Sequence, residues 1–164
     1  MVQKIKDVQP PRGIERLAWR APIWFYRVGL GGLLGGRFLL LNHLGRKSGQ
    51  VRETVVEVVR RDEQADAYIV ASGFGEKSDW YKNVMAHPDA NIQVGNRRMS
   101  VHAERLPLEQ ATEEMLDYNR RHPAALKTLS GIMGYKSDGS EADVKFLATV
   151  IPILAFKVVK DTSK

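Results

Sequence analysis

Residues 39–54 read LLLNHLGRKSGQVRET. An apolar run feeds a turn bracketed by Gly45 and Gly49, which presents Arg46, Lys47 and the Ser48 hydroxyl together, and Arg52 follows on the way out. Three cations and a hydroxyl this close suit a phosphate or a polycarboxylate. The two glycines leave backbone amides open to an anion. The competing reading is a solvated basic hairpin turn. A second stretch, residues 68–83, reads YIVASGFGEKSDWYKN. An apolar strand ends there in Ala71, Ser72 and Gly73, so bare backbone and one small hydroxyl meet whatever docks. A flat ring suits such a surface, with amides bonding its polar edge. Trp80 and Asn83 lie one helical turn apart and can flank the same pocket. Here the alternatives are a core anchor for Trp80 and a solvated polar residue for Asn83.

Other chemistries find no support. The chain has no cysteine, which excludes disulfides, cysteine-type zinc sites, iron–sulfur clusters and a thiol nucleophile. His43, His87, His102 and His122 are far apart and form no HExxH-type pair, so no metal site is expected. No G-x-S-x-G elbow occurs. Gly31 and Gly36 have P-loop spacing, but Arg37 and Phe38 stand where Lys and Ser/Thr belong. An enzyme of this composition leaves the difficult chemistry to a bound cofactor.

The 164 residues favour one domain, with 43% hydrophobic residues to build a core. Residues 1–60 hold 11 Lys/Arg against 4 acids, and residues 61–164 hold 14 against 15. The whole basic excess therefore lies in the first 60 residues, and an anionic partner is expected. Nucleic acid is not, since no helix-turn-helix, RNP or zinc pattern occurs. Arg27 and Arg37 interrupt the one long apolar stretch, so no membrane span is expected. The start, with Pro10 and Pro11, carries no secretory pattern, and the expected location is cytoplasmic.

The elements follow from periodicity. Residues 13–28 predict an amphipathic helix with Arg12, Arg16, Arg20 and Arg27 opposite Ile14, Leu17, Ala21 and Phe25, and with Pro22 kinking it. A basic face beside Trp19 and Trp24 suits either an anionic membrane surface or a helix packed across a barrel end. Residues 38–44, 51–61, 67–72, 91–94, 97–105 and 152–159 predict strands, the fourth and fifth joined at Gly95 and Asn96. Helices are expected at 80–86, 107–122, 124–133 and 141–149, with a turn at 136–140.

Taken in order, GRKSG with Arg52, then VASGFG, WYKN and HPDANIQVG resemble the deazaflavin-dependent nitroreductase family, a branch of the flavin/deazaflavin oxidoreductases. The resemblance covers residues 37–105, and residues 12–36 are similar to members with an N-terminal helix. Val51 and Val55 stand where members often have proline, and residues 134–151 match poorly. The resemblance implies a mainly β fold with peripheral helices, a split β-barrel of six or seven strands over residues 37–164. Residues 1–36 would form an N-terminal helix and glycine-rich link. It also implies coenzyme F420, a deazaflavin with a phosphodiester and an oligoglutamate tail. Positions matching Arg46, Lys47, Ser48 and Arg52 would hold the anionic part. Those matching Thr54, Val55, Val56, Ala71, Ser72 and Gly73 would line the ring, and Trp80, Tyr81 and Asn83 would complete the site. The expected function is hydride transfer from reduced F420 to an electrophilic acceptor, a quinone or a nitro or enone compound. The proton donor is solvent or Tyr135. The alternatives are FMN or haem in the same barrel, and a non-enzymatic module that stores a cofactor or rests on acidic lipid at the inner face of the cell membrane.

Overall fold

In chain order the strands are β1 (Gln3–Lys4), β2 (Phe38–Leu44), β3 (Val51–Asp62), β4 (Ala67–Ala71), β5 (Asp89–Val94), β6 (Arg97–Arg105), β7 (Tyr135–Lys136) and β8 (Ile153–Val158). The helices are α1 (Asp79–Ala86), α2 (Leu108–Arg121), α3 (Pro123–Ile132) and α4 (Glu141–Val150). The computed structural model describes residues 1–12, 15, 22–24 and 26–160. Residues 22–24 and 26–27 are helical, whereas Ile14, Arg16, Leu17, Trp19, Arg20, Ala21 and Phe25 of the expected basic helix lie outside the described residues.

Six antiparallel strands close a barrel in the order β2-β3-β4-β8-β6-β5, which meets the six-strand expectation. The period of two explains its inside. Leu39 and Leu41 of β2, Val56 of β3, Tyr68 and Val70 of β4, Ile92, Val101 and Phe156 share one buried cluster. Closure leaves no exposed edge in the barrel. Alternate residues on β4 and β8, Ile69, Ile153 and Ala155 among them, are buried as well, because α2, α3 and α4 pack on that wall through Met115, Leu126 and Leu147. This two-sided burial is why β4 and β8 read as unbroken apolar runs. Each large side chain so buried contributes roughly 1.5–3 kcal/mol.

Two features position the site. The turn between β2 and β3 projects from one end of the barrel. There α1 inserts Tyr81 and Val84 into the interior cluster, and the Trp80 ring meets Phe156 edge-on at 6.3 Å. On the outer face, Ile23 and Tyr26 pack over Leu40 and Val55, and the Tyr26 hydroxyl donates to the Phe38 carbonyl at 3.1 Å. β1 and β7 form a separate two-stranded sheet, pairing Gln3 with Lys136 and Lys4 with Tyr135. From the sequence only a turn is expected near Lys136.

Candidate functional site

The β2–β3 turn is closed by its own backbone. Gly45 N donates to the Gln50 carbonyl and Gly49 N to the Gly45 carbonyl, both at 2.8 Å. Gly49 has φ 66°, where a side chain is strained. At Gly45 the need is space: a Cβ there would stand 2.5 Å from Ser48 Oγ. That oxygen accepts from Gln50 N at 3.2 Å, so the hydroxyl proton stays available.

Asn83 ties the turn to α1. Its Oδ1 accepts from Arg46 N at 3.1 Å and from Arg46 Nη1 at 2.9 Å. Its Nδ2 meets His43 Nδ1 at 3.0 Å. Arg46 also pairs with Asp79 at 3.3 Å. Lys47 and Arg52 are exposed, and among the described residues neither has a carboxylate at ion-pairing distance. The four basic and hydroxyl residues expected to hold an anion thus divide: Arg46 is compensated and built into the scaffold, while Lys47, Ser48 and Arg52 retain free donors.

The expected ring-lining residues are distributed over several faces. Register pairs Leu41 with Thr54, Leu40 with Val55 and Leu39 with Val56. Thr54 and Val56 therefore face the interior, and Val55 faces outward beneath Ile23 and Tyr26. Ala71 lies on the helical side of the barrel, as does Gly73, where a Cβ would stand 3.2 Å from Leu129 Cδ1. Ser72 is fully buried. Its hydroxyl donates to the Gly75 carbonyl at 2.7 Å and its amide to the Pro152 carbonyl at 3.0 Å, so both its donors are spent shaping the loop. Tyr81 is a core residue in this arrangement, and Trp80 is partly buried against the same cluster. Tyr81 accepts at its hydroxyl from Arg105 Nη1 at 2.8 Å, and the same nitrogen donates to Glu76 at 2.6 Å.

Tyr135 packs edge-on against Phe146, with ring centroids 5.7 Å apart. It borders a small cleft of about 140 Å³ with Phe74, Gly75, Lys77 and Met133. A larger groove of about 950 Å³ runs along the outer faces of β2, β5 and β6 beside Tyr26, with Val51 and Glu53 at its β3 border. Among the described residues no group of acidic or histidine side chains could hold a metal ion, and no helix is long and apolar enough to cross a membrane.

Sequence reasoning missed His43. It is 5% exposed. Burial first, then the charge of Arg52, holds its pKa down to about 4, against a smaller upward pull from Asp79. The available signal was alternation: in a hairpin through GRKSG, His43 pairs with Arg52.

The family model for F420H(2)-dependent quinone reductase matches residues 19–128. A putative F420H(2)-dependent quinone reductase of Mycobacterium tuberculosis (strain ATCC 25618 / H37Rv) is 37% identical over 67 residues, 40% of this chain and 55% of that protein. One from Mycobacterium bovis (strain ATCC BAA-935 / AF2122/97) is 36% identical over 69 residues, 40% of this chain and 44% of that protein. The chain spans about half the length of the curated relatives it matches. Among solved structures, an F420-H2 dependent reductase (FDR-A) is 20% identical, covers 74% of this chain and 94% of its own, and has a TM-score of 0.51. HutZ, the haem storage protein of Vibrio cholerae, is 9% identical, covers 82% and 89%, and has a TM-score of 0.53. The barrel is common to both.

Proposed function

Since this chain belongs to the F420H(2)-dependent quinone reductase family, we propose that it is an oxidoreductase using reduced coenzyme F420, with a quinone as acceptor and activated nitro or enone compounds as further ones. The observation that carries this reading is the pair of uncompensated cations, Lys47 and Arg52, on the turn that α1 holds through Asn83. Phosphate and glutamate carboxylates are the groups such a donor set fits. Lys47, Ser48 and Arg52 would hold that anionic portion. The coenzyme, when bound, supplies the hydride.

The protein's part is positioning and exclusion of water. The backbone of Thr54, Val55 and Val56 offers the ring one wall, and the backbone from Ala71 to Gly73 offers a second. Ser72, sealed and hydrogen-bonded, holds the second wall in shape. Tyr135 borders the loop at Phe74 and Gly75 and is the side chain we assign as proton donor, with solvent as the alternative source.

The test titrates purified protein with F420 and FMN in parallel, followed by fluorescence, and then measures quinone-dependent oxidation of reduced F420. Tighter F420 binding with quinone turnover is the expected result. FMN retained through purification with no F420 binding would sink the reading.

A specific observation favours contact with an anionic membrane surface as well. Trp24 is 62% exposed, Val28 63% and Leu33 75%, next to Arg27. Exposed apolar side chains give reversible adsorption, and Arg27, already paired with Glu53, adds less than the about 1 kcal/mol of a free basic residue near the surface. Sedimentation with anionic but not neutral vesicles, lost on removing residues 1–28 while F420 affinity survives, is expected. A full-length protein that ignores anionic vesicles at low salt makes this segment a packing element only.

A further inference from the structure

One imidazole lies between the anion-binding turn and the helix that plugs the barrel. Asn83 Oδ1 accepts twice from Arg46, so the amide must turn its Nδ2 toward His43. His43 Nδ1 is then the acceptor, and the neutral ring carries its proton on Nε2. Among the described residues nothing accepts from that N–H. Among all the described residues the one side-chain polar atom sealed from solvent without a partner is Asn119 Oδ1, on a distant helix, so the unpartnered His43 Nε2 keeps some contact with solvent.

The β2–β3 register sets His43 opposite Arg52. Cross-strand partners project side by side from the same face of a sheet. Arg52 in turn stands near the Gly45 position, its Nε 3.7 Å from where a Cβ would be. A free N–H donor therefore adjoins a guanidinium that has no carboxylate among the described residues, at the mouth of the turn that carries Lys47. We propose that His43 is a further anion-binding residue of this site, its Nε2–H donating to a phosphate or carboxylate oxygen of the ligand held by Lys47 and Arg52. The inference rests on the anionic-cofactor reading above and deepens it. A neutral ring suits the task, because it adds direction without placing a third positive charge beside Arg52. Asn83 is the positioning residue that selects the tautomer.

Two substitutions separate the ring's two nitrogens. His43→Asn keeps an acceptor near the Nδ1 position for Asn83 and removes the Nε2 donor. His43→Gln places an amide N–H near the Nε2 position and removes the Nδ1 acceptor. Affinity is measured for F420, for the coenzyme lacking its glutamate tail, and for inorganic pyrophosphate. We expect His43→Asn to weaken F420 about tenfold, the size of one hydrogen bond to a charged group, with His43→Gln retaining most of the affinity. If the Asn effect vanishes for the tailless coenzyme, the oxygen belongs to the tail; if it persists, to the phosphate. The opposite order of the two variants, equal losses, or no loss in either would overturn the proposal. A separate readout is the ring ¹⁵N–¹H signal of His43 in the wild-type protein as pyrophosphate is added. Movement of that signal in a protein that ignores F420 would refute the coenzyme and keep the anion-binding role. An unmoved signal overturns the role.

Discussion

Asn83 is the residue on which the site's geometry depends, and two substitutions there separate folding from binding. The side chain is 4% exposed and makes three hydrogen bonds, two from Arg46 and one to His43. Asn83→Ala removes all three. The Arg46 guanidinium keeps Asp79 and partial access to solvent, so its loss is small. The Arg46 amide and His43 Nδ1 are left without partners, at about 1–3 kcal/mol each. Water entering the vacated space offsets part of that, which gives an expected destabilisation of about 2–4 kcal/mol. Asn83→Asp behaves differently. Its carboxylate still accepts from Arg46, and His43 answers by moving its proton to Nδ1. Stability should fall by less than about 1 kcal/mol. Yet this variant sets a negative charge beside the anion site and takes the proton from Nε2, so F420 affinity should fall at least as far as in the alanine variant. Urea unfolding followed by tryptophan fluorescence gives the first quantity, and coenzyme titration the second. An alanine variant destabilised by less than about 0.5 kcal/mol, or an aspartate variant as unstable as alanine, refutes the network described here.

Lys47→Ala and Arg52→Ala should each weaken F420 by about 1–3 kcal/mol with little change in unfolding midpoint, since among the described residues neither cation has a carboxylate to lose; a large loss of stability with unchanged affinity would show that their role is structural. The wild-type protein should lose stability as pH falls. His43 is bonded to Asn83 and lies within the field of Arg52 and Asp79, and its folded pKa of about 4 lies below the ordinary 6.5. The unfolded chain therefore binds the proton first, and the contribution, about 3 kcal/mol at most, is present above pH 6.5 and lost progressively down to about pH 4. His43→Gln, which has nothing to titrate, should show a shallower decline over that window; an identical pH profile in the two proteins would place the acid sensitivity elsewhere.

The barrel was legible because its strands are specified locally. Each expected strand appears within two residues of its predicted ends, and Gly95 with Asn96 joins β5 to β6 where a two-residue turn was expected. The β1–β7 pair was not legible: it joins Gln3 to Lys136 across most of the chain, and two exposed residues per strand carry no periodicity. The turn proposed to hold an anion was legible for the same local reason as the strands, since glycine and cation spacing are enough to show it. What surrounds it was not. That Thr54 and Val56 face away from Val55 follows from the period of two, but which face is inside depends on partners in β2. The burial of Ser72 depends on the Pro152 carbonyl, 80 residues on. His43 gains its meaning only from Asn83, which the chain delivers from a different element.

The basic excess takes on chemical meaning only once the pairs are known. Within the first 60 residues, Arg27 pairs with Glu53, Arg46 with Asp79, and Arg60 with Asp62 and Glu114. A cation already held by a carboxylate must exchange that partner to take a ligand, so its net contribution to binding is small. Among the described residues Lys47 and Arg52 have nothing to exchange. Their charge is carried unneutralised at the end of a hairpin that Gly45, Gly49 and Asn83 hold fixed, and an anion arriving there gains their attraction without an ordering cost in the turn. A preference for a doubly or multiply charged ligand is the expected consequence of that arrangement. A single phosphate meets one or two of the three free donors at Lys47, Ser48 and Arg52, whereas a phosphodiester with a carboxylate tail can meet them together.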